Sequence, residues 1–186
     1  MKKILIGIIL MVLLSFELGF CFLVKEGFKE FGFLGGYNRA NLKEKKDLEE
    51  IPFILRFGFD LRPLIKNKSN YLFEFTLEPY TSLIMEPKSN FMGGCNFLLK
   101  FGFPLKKVYP YLEGGFGFNY FTLHTREQST QFNFSEIIGV GINYFLKENL
   151  SLNLGYRARH ISNASIKKPN QGIDTQGFIF GVSIYY

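Results

Sequence analysis

From Phe31 to the last residue, apolar and polar positions alternate with a period of two. Phe31, Phe33 and Gly35 open the pattern. Phe53, Leu55, Phe57, Phe59 and Leu61 continue it against Ile54, Arg56, Gly58 and Asp60. Tyr71, Phe73, Phe75 and Leu77 stand against Leu72, Glu74, Thr76 and Glu78. Further stretches run from Phe91 to Phe103, Leu112 to Tyr120, Phe132 to Tyr144, Leu150 to Tyr156 and Phe178 to Tyr186. Alternation at this period puts successive side chains on opposite faces of a strand. The pattern predicts about eight strands, each near the 9–11 residues that a tilted membrane strand needs.

The two faces differ in a way that tells inside from outside. One is nearly all Phe, Leu, Val and Tyr. The other carries Gly, Asn and Ser with Arg56, Asp60, Glu74, Glu78, Lys100, Glu113, Arg157 and Arg159. A soluble barrel of this size would show Lys and Glu to water on every strand. A Gly-rich face with mixed charge suits a narrow lumen filled by paired side chains. The expected fold is therefore all-β: an eight-stranded antiparallel transmembrane barrel. A soluble sandwich with a greasy core is the blander alternative.

Both termini of an even-stranded barrel share one side, where turns are short, while the outer loops are longer. Asn38–Glu50, Thr81–Asn90 and Thr122–Thr130 are expected to be the longer outer loops. Pro104–Lys107 and Lys147–Asn149 fit short inner turns, and Arg62–Asn70 is less short. The aromatic last residue, Tyr186, with Phe178, Phe180, Val182 and Ile184 in step behind it, resembles the C-terminal strand of bacterial outer-membrane barrels.

The first residues break the pattern. Lys2 and Lys3 precede an apolar run of 13 residues, Ile4 to Phe16, closed by Glu17. That is too short for a membrane-spanning helix, which needs roughly 20 residues, and fits a secretory signal peptide. Residues 1–21 are read as the signal, with the cleavage site not fixed, and 22–186 as the barrel domain. If Cys21 leaves with the signal, Cys95 is the last cysteine and no disulfide can form within one chain.

Composition agrees. Of 186 residues 18% are aromatic, with 23 Phe, 10 Tyr and no Trp, and 19 are Gly. Two Cys and two His leave little room for a zinc site or a disulfide framework, so no metal or cofactor is expected. The net charge is +6, from 22 basic and 16 acidic residues. It is +5 once Lys2, Lys3 and Glu17 are set aside. That suits an anionic glycolipid surface. No basic helix points to nucleic acid.

Candidate chemistry sits between the last two strands. His160 and Ser162 are two apart and share a face; a histidine beside a serine can take the hydroxyl proton and make a nucleophile. Asp174 follows 12 residues after Ser162, at the start of the returning strand, where a carboxylate would hold the imidazole tautomer. All three are even, in step with Leu152, Leu154, Phe178 and Phe180 on the lipid-facing side. Polar groups facing hydrocarbon are costly unless they pair and work. Such a trio at a loop edge is ordinarily incidental; shared parity and antiparallel proximity favour function.

His160-Ile-Ser162-Asn163-Ala164, followed by Pro169-Asn170-Gln-Gly172-Ile173-Asp174, resembles the active-site signature of the outer-membrane lipid A 3-O-deacylases, also labelled acyloxyacyl hydrolases. The resemblance implies metal-free hydrolysis of an ester-linked acyl chain on lipid A of lipopolysaccharide in the outer membrane. By it Ser162 is the nucleophile, His160 the base and Asp174 the acid, in a position where the family usually has the longer Glu. Asn170 is the expected oxyanion donor, with Asn163 and the Ala164 backbone N–H assisting. Ser165 stands where Gly is common. Lys167 and Lys168 would meet lipid A phosphates or are ordinary surface lysines. Glu136 is read as an interfacial carboxylate near the site, His124 as a solvated loop residue and Cys95 as inert. The competing class is a non-enzymatic eight-stranded barrel with a structural or adhesive role. Oligomeric state is not legible.

Overall fold

The computed structural model describes residues 27–42, 47–65, 71–125 and 127–186; the expected signal segment, Cys21 included, lies outside them. Eight strands follow one another: β1 (Phe28–Asn41), β2 (Asp47–Asp60), β3 (Leu72–Glu86), β4 (Asn90–Gly102), β5 (Val108–Phe121), β6 (Phe132–Lys147), β7 (Leu150–Ser162) and β8 (Ile173–Tyr185). Each pairs antiparallel with the next, and β8 pairs with β1 to close a barrel. Closure leaves no strand edge, which hydrocarbon would not tolerate, because every ladder N–H and C=O finds a partner. Among the described residues no helix is long and apolar enough to cross a membrane; the crossing is by strands.

The parity reading holds around the circle. Phe33, Leu112, Phe116, Ile138, Phe178 and Phe180 all point outward and are more than half exposed. A continuous apolar belt of this size is a lipid-facing surface and not a soluble one. The greasy core of a sandwich is therefore excluded: the greasy face is the outside.

The loop expectation needs correcting. Asn38–Glu50 is mostly ladder, since β1 runs to Asn41 and β2 starts at Asp47. Thr81–Asn90 is likewise mostly strand, with only 87–89 between β3 and β4. The longest connections are 61–71, on the side of the termini, and 122–131 and 163–172, on the far side. Charged residues do not interrupt the ladder here. Arg39, Asp47, Glu49 and Glu50 carry charge yet continue the ladder, with Arg39 opposite Glu49 and Asn38 opposite Glu50. There Arg39 pairs with Asp47, and Asn38 donates to Glu50 at 2.6 Å.

The lumen is packed by the expected charges. Arg56 donates to Glu78 at 2.7 Å and to Glu113 at 3.2 Å. Arg157 donates to Glu113 at 2.5 Å and to Glu78 at 2.7 and 2.9 Å. Lys100 donates to Glu30 at 2.8 Å and lies 3.5 Å from Glu74. Glu30 and Glu50 are inward partners that the pattern missed, the first ahead of its opening residue and the second assigned to a loop. Each ion taken from water costs several kcal/mol, by order of magnitude, unless saturated by partners. Towards the end far from the termini the filling turns apolar, with Leu34, Leu48, Ile54, Ile84, Met92, Phe121, Ile161 and Ile173 buried together. Asn38, Glu50 and Arg159 are bonded among them. The barrel is plugged at this end, and the plug stiffens the strand pair that carries the candidate chemistry.

Candidate active site

His160 and Asp174 are direct cross-strand partners on β7 and β8. Their inward neighbours lock the pairing. Arg159 donates to Thr175 at 3.2 Å and pairs with Glu50, while Ile161 and Ile173 are buried in the plug. Because side chains alternate, burial of 159, 161, 173 and 175 turns 160, 162 and 174 outward. His160 Nδ1 lies 2.6 Å from Asp174 Oδ1. An ionised carboxylate can only accept, so Nδ1 donates and Nε2 is left free to accept a proton. The short acid reaches because it stands opposite the ring. The pair is open to its surroundings, with 43% of the His160 side chain and 86% of the Asp174 side chain exposed.

Gly172 shapes the ring's place. Its φ is +76°, and a Cβ there would meet His160 Cε1 at 2.4 Å. Both the backbone and the ring therefore demand glycine. The sequence marked Gly172 only as a motif letter, and the contact with the imidazole comes from the fold.

Ser162 closes β7 on the same outward face, opposite Phe134. Among the described residues no hydrogen bond joins its hydroxyl to His160. Nucleophile–base hydrogen bonds in ligand-free enzymes are often long and tighten with substrate. Glu136 on β6 is the cross-strand partner of His160 on its other side. His160 thus stands between two carboxylates, of which Asp174 is bonded to it. Glu136, His160 and Asp174 line one groove of about 860 Å³ with Ile138, Ala158 and Arg39. The neighbouring groove, about 570 Å³, runs over Val140, Ile142, Leu154, Tyr156 and Phe178 on the lipid face.

The 163–172 connection holds the remaining candidates. Asn163 is fully buried. Its side-chain amide donates to Lys167 O at 2.8 Å, Ser129 Oγ at 3.2 Å and Pro169 O at 3.5 Å. Its backbone N–H donates to Asn170 Oδ1 at 2.9 Å. The backbone N–H and side-chain amide of Asn163, expected to assist an oxyanion, are both engaged within the protein, the first with Asn170 and the second with Lys167, Pro169 and Ser129. With its oxygen pinned, Asn170 has its amide nitrogen left over, in one long contact of 3.5 Å to Ser165 Oγ. Ala164 and Ser165 follow at φ 51° and 62°. Two successive left-handed residues turn the chain sharply after Ser162 and leave Ala164 on the surface. They also give the reason why glycine would suit position 165. Lys167 and Lys168 are exposed on the same loop.

The 122–131 connection folds across to this loop, which the sequence did not announce. Glu127 and Gln128 are buried, and a short backbone bridge joins Gln128 to Asn170. His124 is exposed in the same connection.

The family model for "Lipid A 3-O-deacylase (PagL)" matches residues 51–183. The chain belongs to the PagL family. The match spans β7, the loop after it and all but the last two residues of β8, so every candidate site residue lies inside it. Membership supports an ester hydrolase acting on lipid A, and the chain is an outer-membrane barrel. Among solved structures, that of the outer membrane enzyme PagL is 18% identical with a TM-score of 0.61, covering 83% of this chain and 98% of its own. Neisserial surface protein A is 14% identical with a TM-score of 0.63, covering 85% and 97%. OprG of Pseudomonas aeruginosa is 12% identical with a TM-score of 0.50, covering 86% and 97%. At such identities the likenesses show the shared barrel alone. No curated protein matches the chain.

Proposed function

We propose that this PagL-family chain is a serine esterase that removes the 3-O-linked acyl chain from lipid A. The observation that carries the proposal is the His160–Asp174 pair at 2.6 Å on the lipid face, with Ser162 two residues further along the same strand. Nε2 of His160 takes the Ser162 hydroxyl proton as Oγ bonds to the ester carbonyl carbon. The carbonyl oxygen becomes an oxyanion, received by Asn170 Nδ2 and the Ala164 backbone N–H. The carbon–oxygen bond to the sugar then breaks. His160 returns the proton to the leaving sugar oxygen, which departs as a hydroxyl. Water, activated by the same imidazole, hydrolyses the acyl-enzyme and releases the fatty acid.

The site's position explains how a membrane-embedded lipid would reach it. Ser162 stands at the far-end rim of the barrel, where the outer leaflet's headgroups lie. A substrate in that leaflet moves in laterally, its acyl chains along Tyr156, Phe178 and Leu154 on the outward face. Its phosphates meet Lys167 and Lys168 in the loop above. An ester is favoured over an amide because the sugar oxygen leaves more readily than an amine.

The test is mass spectrometry of lipid A from cells expressing the wild type or Ser162→Ala. One ester-linked acyl chain is lost with the wild type and none with the variant. Unchanged lipid A despite abundant folded wild-type barrel would put the non-enzymatic, structural reading ahead.

A further inference from the structure

Asn170 is useful to an oxyanion only if its amide is aimed. The amide oxygen is held by the Asn163 backbone N–H at 2.9 Å, and this fixes where the nitrogen points. Asn163 is held in turn by its own side chain, and one of its partners comes from another part of the chain. Ser129 Oγ accepts from Asn163 Nδ2 at 3.2 Å and donates to Lys167 O at 2.8 Å. A hydroxyl can do both at once because it is donor and acceptor. The backbone adds a second hold. Ser129 N–H donates to Pro169 O at 3.1 Å and Gln171 N–H donates to Glu127 O at 2.9 Å, so the two bonds bracket Asn170. Gln128 Nε2 also donates to Ile161 O at 3.3 Å, the residue before Ser162.

The residues at the centre of this network are buried, while the Ser129–Lys167 bond is open to solvent. Asn163, Glu127 and Gln128 are 0%, 3% and 6% exposed. Hydrogen bonds out of water are stronger and their loss is dearer. A segment that merely covered the barrel mouth would lay apolar side chains over it. This one directs its polar groups at the loop that carries Asn170.

We propose that the 127–129 segment is a positioning element of the active site, acting through Ser129 and Asn163 to aim the Asn170 amide. The proposal rests on the hydrolase reading for its catalytic effect, though not for its geometry. Ser129 touches no substrate, so its removal acts on turnover and not on substrate affinity. Ser129→Ala in the full-length barrel in detergent lowers kcat roughly tenfold, the size of one part-buried hydrogen bond, with KM unchanged. Ser129→Thr, which keeps the hydroxyl, restores most of it. Because the effect passes through Asn170, the double variant Ser129→Ala/Asn170→Ala is no slower than Asn170→Ala alone.

A second readout needs no catalysis. The Asn163 backbone amide is protected by the Asn170 side chain, so its hydrogen exchange in detergent micelles speeds up in Ser129→Ala and in Asn170→Ala alike. Losses that multiply in the double variant, or an Asn163 exchange rate unchanged by Ser129→Ala, would overturn the proposal. A wild type that exchanges as described but releases no fatty acid would sink the hydrolase reading and leave the positioning contact standing.

Discussion

Arg157 and His160 lie three residues apart on β7 and face opposite ways. Arg157, in the lumen, is bonded to Glu78 and Glu113, and both of these are bonded to Arg56. His160, on the outer wall, has Asp174 as its one ionic partner among the described residues, and its second ring nitrogen is uncommitted. Inside, the charges are buried and depend on one another for partners. Outside, at the rim, exposure relieves that demand and leaves lone pairs available for chemistry. The lumen charges are bonded mainly to one another, although Arg56 Nη1, Glu50 Oε2 and Glu74 Oε2 have no hydrogen-bond partner, whereas the wall keeps one imidazole nitrogen and one hydroxyl uncommitted.

That contrast can be broken by exchanging one residue on either side of the wall. The largest effect on rate is expected at the acid. Asp174→Asn keeps the shape but favours the wrong imidazole tautomer, and deacylation falls by up to about 10⁴-fold. Full activity in this variant, measured as fatty acid release, would remove Asp174 from the mechanism and direct attention to Glu136. Next comes Gly172→Ala. The new methyl group displaces the His160 ring, and a misplacement of this kind costs on the order of 10²-fold in turnover. The barrel should still migrate as folded on an unheated gel. If activity survives, the ring is not where catalysis needs it.

Across the wall, Arg157→Met leaves Glu78 and Glu113 with Arg56 alone. Destabilisation of about 3 kcal/mol is expected, read as a lower urea midpoint in detergent. Activity per folded molecule should be nearly unchanged. Equal losses of stability and rate would mean that the lumen and the wall are not separable. The smallest effect is expected at Ser165→Gly, which relieves a left-handed residue worth about 1 kcal/mol. It should slow proteolysis of the 163–172 loop with little change in rate.

The misread loops and the candidate site have one lesson in common. Most of Asn38–Glu50 and of Thr81–Asn90, expected as loops, lies in the ladder. Charge is a local property, while membership in a sheet depends on the neighbouring strand, and Arg39 finds both Asp47 and Glu49 there. At the site, the outward parity of His160, Ser162 and Asp174 was legible because all three sit on strands whose apolar neighbours set the face. The commitment of Asn163 was not legible, because its partners Ser129 and Lys167 belong to connections with no period at all.

The amino-acid sequence alone determined that this is a strand protein with a greasy exterior and a charged interior. Each strand's faces are set by its own alternation, and lipid outside forces the apolar parity outward. It also determined which three side chains share the outer wall near the β7–β8 connection, since parity and spacing are properties of a single hairpin. The tertiary structure decided the rest. Register placed Asp174 opposite His160, closure brought β1 against β8, and the 122–131 connection was folded onto Asn170. Those outcomes depend on hydrogen bonds between segments distant in sequence. Such bonds pair generic backbone and amide groups, so the residues that make them carry no signature until the barrel has closed.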